Sequence, residues 1–278
     1  MKNFDRIMAT ERIEGTRIDN PPLSLRVGPR SAKSSDQKDR LPRPIPFNGL
    51  LTNRLLASLP GADFARLLPG LEPVSLVAGD NIHAFGETAS FAYFPETAVI
   101  AHLYLLEDGS MPAITLIGND GMFGLSAIFD SAAPLYESQI AIGGTALRID
   151  AEVLKQEFLR GTGVQQAVLN YAIARLAQVS QMAVCNLRHR LEQRLCTWLL
   201  MIQDRVREKP LPLTHEKIAH YLGTRRAGIS TVCNALREDG IINYQRGTIR
   251  IIERALLEKA ACECYQAFRQ ISSVRVPA

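Results

Sequence analysis

The chain has 278 residues, 46% hydrophobic and 22% charged, with a formal net charge of +4. That length and balance fit a soluble protein of two domains, and no run approaches the roughly 18 to 20 apolar residues that span a bilayer. The opening residues, MKNFDRIMATERIEG, lack the apolar core of a secretion signal, and all five cysteines lie at or after Cys185, so a cytoplasmic protein without a disulfide framework is expected.

Charge divides the chain into blocks. Residues 1–46 hold six prolines and ten bases against six acids, the composition of a disordered tail, with a basic arm that attracts nucleic acid as the alternative. From Leu67 to Leu147 there are nine acids and not one Lys or Arg, whereas Arg188 to Arg254 carries thirteen bases against seven acids. Such asymmetry separates a sensing or scaffolding half from a half that meets polyanions.

In chain order, Asn53–Leu59 and Asp63–Leu68 carry apolar residues at helical spacing, with Pro60-Gly61 as the stop between them. From Leu76 to Ile149 the pattern changes to short apolar runs, FAYFP, VIAHLYLL, AITLIG and ALRI, broken by GD, GE, EDG, GND and GG. This predicts antiparallel strands joined by tight turns, as in a small roll or sandwich. Glu107 and Asp108 before Gly109 read as turn residues. Asp150 caps a helix that Gly161 ends, and a long helix follows from near Val164.

Along that long helix Leu169, Ala172, Leu176, Val179 and Ala183 recur by three and four, a seam for a partner helix, with intramolecular packing as the alternative. A hinge is expected at Asn186–Arg190. Beyond it LEQRLCTWLLMIQDRV starts a new amphipathic helix, closed by Lys209-Pro210 and Pro212.

Thr214 is an N-cap for a helix beginning at His215, with Glu216 in the first turn. Ile218, Ala219 and Leu222 form its buried face, Gly223 breaks it, and a second helix runs from about Arg225 to Glu238 with Ile229, Val232 and Leu236 inward. A small residue, a glycine four later and a branched apolar residue six after that make helix-turn-helix grammar. Arg225, Arg226, Gly228, Ser230 and Thr231 are the expected groove-facing set, with Asn234 one turn on near the DNA backbone. An ordinary helical hairpin is the alternative. IINYQRGTIRII, two β-rich runs joined at Arg246-Gly247, favours the first reading, because it supplies a wing that lays Arg246 and Thr248 beside phosphates.

A roll, a long helix and a winged helix-turn-helix in this order resemble the catabolite-activator and fumarate-nitrate-reductase (Crp/Fnr) superfamily of transcription regulators. LTHEKIAHYLGTRRAGISTVCNALREDGII carries the resemblance, with support from NRLLASLP and GNDGMFGL, and it covers about residues 50–268. It implies an α+β chain: a tail at 1–46, a cyclic-nucleotide-binding-like sensor roll at 47–160, a dimerisation helix at 161–189, a winged helix-turn-helix at 190–268 and a C-terminal tail at 269–278. Arg226 falls on the family's recognition arginine, followed here by Ala227 where glutamate is common. Cyclic-nucleotide members hold their ligand with a glycine-glutamate pair and an arginine followed by a small hydroxyl residue. Gly124 matches, but Leu125 takes the glutamate place and the arginine region reads Leu135-Tyr136-Glu137-Ser138. Gly124, Leu125, Glu137 and Ser138 therefore form a degenerate ligand site in which no cation offsets the desolvation of a cyclic phosphate.

The thiols are too late in the chain for the iron-sulfur clusters of this superfamily. Cys262 and Cys264, two apart in what reads as the last helix, point to nearly opposite faces and are assigned to packing. Cys185 and His189 share a helical face and are weak metal candidates, one pair from each subunit meeting across a dimer axis, though no metal is needed to explain them. His83 and His102 have no ligand-spaced companion. Neither a phosphate loop nor a nucleophile elbow is present, so no enzyme is expected and no cofactor is assigned. The expected partners are double-stranded DNA, a second copy of the chain, RNA polymerase and an unidentified small-molecule effector, with no membrane.

Overall fold

The computed structural model describes residues 42–45, 51–107, 110–129, 136–206 and 210–273. Leu135, the Asp108-Gly109 turn and the tail at 1–46 lie outside the described residues, except for a short strand, β1 (Arg43–Pro44), which pairs with Ser75 and Val74. Two short helices follow, α1 (Arg54–Ala57) and α2 (Gly61–Leu67), at the two places where the apolar spacing predicts them. Then come β2 (Glu72–Leu76), β3 (Asn81–His83), β4 (Phe91–Pro95), β5 (Val99–Leu103), β6 (Ala113–Ile117), α3 (Leu125–Ile128), β7 (Glu137–Ile142) and β8 (Gly144–Asp150). They form two antiparallel sheets, ordered β1-β2-β8-β4 and β3-β7-β5-β6, which is the predicted roll.

The second half is helical. α4 (Ala151–Leu159) is capped by Asp150, whose carboxylate accepts from the amides of Glu152 and Val153. α5 (Gly163–Arg188) is the long helix, and its break at His189 precedes α6 (Leu191–Val206). After these come α7 (His215–Tyr221), α8 (Arg226–Glu238), the hairpin β9 (Ile242–Gln245) and β10 (Thr248–Ile251), α9 (Arg254–Ala260) and α10 (Cys264–Ser273). The last helix thus runs into the stretch that the sequence assigns to a tail at 269–278.

The strands read as nearly continuous apolar runs because both faces of each sheet are covered. Between the sheets lie Val74, Leu76, Tyr93, Ile100, Ile117, Phe123 and Ile140. The outer face of the first sheet, with Ala92, Phe94, Leu147 and Ile149, is covered by Leu56, Leu67, Leu154, Phe158 and Val168 from the surrounding helices. The outer face of the second contributes Val99, Ala101, Leu103, Leu116 and Ile142 to one core with Trp198, Leu199, Ile202, Ile218 and Ile229 of the C-terminal half.

GNDGMFGL is the junction of these layers. Asp120 accepts from Arg205 of α6 at 2.6 and 3.1 Å, and both side chains are buried. The Tyr171 ring of α5 lies where a Cβ on Gly121 would stand, 2.2 Å away, so only glycine admits it. The Tyr171 hydroxyl donates to the Met122 carbonyl at 2.8 Å. Asn53, fully buried, caps α1 and donates to the carbonyls of Pro95 and Gly121 at 2.9 and 2.8 Å.

α5 has two apolar faces. Val164, Ala167, Val168, Tyr171, Met182 and Cys185 are buried within the chain. On the opposite side Leu169, Ile173, Leu176 and Leu187 are 40%, 68%, 69% and 83% exposed. This uncovered stripe keeps Leu169, Leu176 and Ala183 of the expected seam but replaces Ala172 and Val179, which are half-buried, with Ile173 and Leu187. Steps of three and four fit either side of a long helix, and the spacing alone does not separate them.

The thiols differ from the sequence reading. Cys262 precedes the last helix and Cys264 opens it, so the argument that the two point to opposite faces of one helix does not apply. Both reach Cys185 and His189 within the same chain.

Candidate nucleic-acid interface

The motif is built on α6, whose Leu195, Trp198, Leu199 and Ile202 point inward and give α7 and α8 a floor. The Thr214 hydroxyl accepts from the Lys217 amide at 3.2 Å, so it acts as the N-cap of α7. At the other end Gly223 takes φ +59, a left-handed conformation that costs glycine nothing, and the Thr224 amide closes the turn on the Ala219 carbonyl at 2.9 Å. Arg194 of α6 braces the turn, donating to the Leu222 carbonyl at 2.8 Å and to Asn186 at 3.1 Å on the far side of the hinge.

α8 opens with Arg225 as its N-cap residue. Ile229, Cys233 and Leu236 are buried, while Arg225, Arg226, Ala227, Thr231 and Asn234 are exposed. Two residues of the expected groove-facing set face elsewhere. Gly228 lies against Leu191, where a Cβ would come within 2.9 Å, so its small size serves the approach of α8 to α6. Ser230 meets the His215 Nδ1 at 3.0 Å and is half-buried. Thr231 donates to the Ala227 carbonyl at 3.1 Å and is exposed.

His215, missed by the sequence reading as an organiser, joins three elements. Its ring stacks on Tyr244 of β9 with centroids 4.0 Å apart while it holds Ser230 of α8. Burial, with Arg226 nearby, lowers its pKa, which keeps the imidazole neutral beside the arginines. The i,i+15 spacing of His215 and Ser230 carries no sequence signal that would have marked the pair.

The hairpin takes the predicted place. Gln245 pairs with Thr248, leaving Arg246 and Gly247 as a two-residue turn with φ +50 and +77. Arg246 is thereby carried at the tip of a wing, exposed, while Thr248 is half-buried. Leu211 exchanges both backbone hydrogen bonds with Ile249, at 2.7 and 2.8 Å, and ties the wing to the segment before α7. Among the described residues no ion pair engages Arg225, Arg226, Arg246 or Arg250, whereas Arg66, Arg148, Arg205 and Arg254 are each paired with carboxylates.

The degenerate ligand positions lie in the roll. Gly124 has φ +108 at the head of α3, with Leu125 half-buried next to it. Ser138 is fully buried and its hydroxyl meets the His102 Nδ1 at 2.9 Å, and Glu137 accepts from Asn81 at 3.5 Å. His102 packs on Tyr136 at 4.1 Å and on Phe123 at 5.9 Å. Burial, then Arg175 and His83, push the His102 pKa well down, and burial raises the Tyr136 hydroxyl to about 12. Arg175 comes from α5, holds the Leu116 carbonyl at 2.9 Å and keeps one buried guanidinium nitrogen without a hydrogen-bond partner among the described residues.

Residues 193–260 match the model of the Crp-like helix-turn-helix domain. No curated protein matches the chain by sequence. In structure the chain is similar to a CRP-family transcriptional regulator from Thermus thermophilus, at 20% identity and a TM-score of 0.57, over 67% of this chain and 95% of that one. FixK2 from Bradyrhizobium japonicum aligns at 18% identity and a TM-score of 0.59, over 69% and 98% of the two chains. The regulator CLP from Xanthomonas campestris, described as responsive to c-di-GMP, aligns at 15% identity and a TM-score of 0.55, over 69% and 99%. The chain therefore has the fold of the Crp/Fnr transcription regulators and carries their Crp-like helix-turn-helix domain at residues 193–260.

Proposed function

We propose that the protein is a sequence-specific DNA-binding transcription regulator that acts as a homodimer. The observation that carries this reading is the set of exposed arginines, at the start of α8 and on the wing tip, that have no ionic partner among the described residues. Unpaired guanidinium groups on a protruding helix suit guanine O6 and N7, and those on a wing suit phosphates. Arg226 is the principal base reader, Thr231 and Asn234 continue along the groove, and Arg246 with Arg250 neutralises the backbone. Thr214, Gly228, Ser230 and Thr248 shape the surface. RNA polymerase and a small effector are the further partners of this reading.

The uncovered stripe of Leu169, Ile173, Leu176 and Leu187 is the dimer face, joined to an identical stripe so that two heads meet half-sites about one helical turn apart. The roll is read as one that does not take cyclic nucleotide. Its Ser138 hydroxyl already serves His102, and no cation stands at the matching strand positions.

Selection of bound fragments from sheared genomic DNA by the purified protein, followed by footprinting at stated salt, tests the reading. A protected, roughly palindromic tract is expected, and no protection at any ionic strength would refute it. Leu176→Asp is expected to sediment as a monomer at micromolar concentration; an unchanged dimer would remove this face from the interface.

A further inference from the structure

The end of the long helix and the turn before the last helix meet in a cluster of three thiols and one imidazole. The Sγ, Sγ, Sγ and ring-nitrogen atoms of Cys185, Cys262, Cys264 and His189 all lie within 4.8 Å of one another. Cys185 and Cys262 are 3.5 Å apart between sulfurs, and Cys264 Sγ is 3.5 Å from His189 Nδ1. A tetrahedral zinc ion with Zn–S near 2.3 Å and Zn–N near 2.0–2.1 Å sets its ligands about 3.5 to 3.8 Å apart along the tetrahedron edges. The geometry points to a site for one thiophilic divalent cation of the zinc type, held by Cys185, His189, Cys262 and Cys264 of a single chain.

The surroundings fit a metal site better than plain packing. His189 turns its other nitrogen, Nε2, to the Glu263 carboxylate at 3.2 Å, the arrangement that orients a ligating imidazole and raises its basicity. Donors are aimed at two of the sulfurs. Gln181 Nε2 is 3.0 Å from Cys264 Sγ, and the Thr197 hydroxyl is 3.1 Å from Cys262 Sγ. Thr197 accepts from the Cys262 amide at 3.3 Å, which frees its proton for the sulfur. A group of sulfurs gathered only by apolar contact has no use for a carboxylate-backed histidine or for an amide donor.

The donor set also selects the ion. Three thiolates and one imidazole suit zinc and exclude calcium and magnesium, which take oxygen ligands. Four protein ligands leave no open position, so the site holds structure rather than catalyses. An iron-sulfur cluster needs its outer ligands farther apart than a 4.8 Å group provides, because bridging sulfides and a second iron stand between them. On loading, three thiol protons go to solvent, three S–M bonds and one N–M bond form, and no electron moves.

The full chain, produced in zinc-supplemented medium and purified without chelator, is expected to contain one zinc per protomer by elemental analysis. Cobalt(II) added to the zinc-depleted wild-type chain is expected to give sulfur-to-cobalt charge transfer and the intense visible bands of a tetrahedral ion. Glu263→Gln keeps every ligand at an exposed position, and its zinc affinity is expected to fall about 10- to 100-fold in competition with a chromophoric chelator. Cys264→Ser is expected to lose the tetrahedral sulfur spectrum of the wild type. A folded wild-type chain with neither zinc nor a tetrahedral cobalt spectrum would overturn the proposal. So would iron with acid-labile sulfide in place of zinc, or an affinity untouched by Glu263→Gln. None of these readouts involves DNA, so they stand or fall apart from the regulator reading.

Discussion

Inside the roll, three buried polar side chains find partners from the chain itself: Ser138 with His102, Asn53 with two carbonyls, Asp120 with Arg205. In the winged head Arg225, Arg226, Arg246 and Arg250 are exposed and lack ionic partners among the described residues. Desolvation accounts for the contrast. A buried charge must find its counter-charge in the fold, because losing water costs several kcal/mol, whereas an exposed cation keeps its water until a polyanion replaces it. Buried charges matched internally hold the fold together, and exposed cations left unmatched are free to meet a polyanion.

The largest test of this contrast is Asp120→Ala. It leaves Arg205 buried and unpaired, and unfolding by denaturant should show a loss of about 3 to 5 kcal/mol. Next is Arg226→Ala, expected to cost about 1 to 3 kcal/mol, roughly 5- to 150-fold, at the specific site, with the unfolding midpoint hardly moved. Arg246→Ala should weaken specific and random DNA alike and reduce the salt slope by about 1 in a binding titration. Equal losses for both arginine variants on both DNAs would erase the division between base reader and phosphate contact.

Acid should reach the buried histidines before it reaches the Asp120–Arg205 ion pair. His102, His215 and His220 have pKa values lowered by burial, His102 furthest, so protonation works against the folded state. Stability is fully present above the ordinary histidine value of about 6.5 and falls as pH drops through the lowered values. Asp120 responds only at lower pH. Burial works to raise its pKa, but Arg205, Arg175 and Arg54 hold it below the usual carboxylate range. Denaturant titrations from about pH 8 to about pH 5 are expected to show a modest slope that His102→Gln reduces. The same slope in that variant would assign it elsewhere.

The helix-turn-helix was legible because its signals are local: Thr214, Ala219, Gly223 and Ile229 lie within sixteen residues and each has a fixed conformational task. The roll was legible as turns between apolar runs, though not its order of strands, which depends on long-range pairing. The neighbours of Gly228 and Ser230, Leu191 and His215, were not legible because they are set by the crossing of three helices rather than by position along α8. The thiol cluster was hidden twice, by a separation of 77 positions from Cys185 to Cys262 and by a helix start placed too early.

The outer face of the second sheet shares one core with the head, through Leu103 and Leu116 on one side and Trp198 and Ile218 on the other. A swing of the head away from the roll would wet those side chains. Such a movement would carry a positive change in heat capacity, so its free energy would vary with temperature along a curve rather than a line.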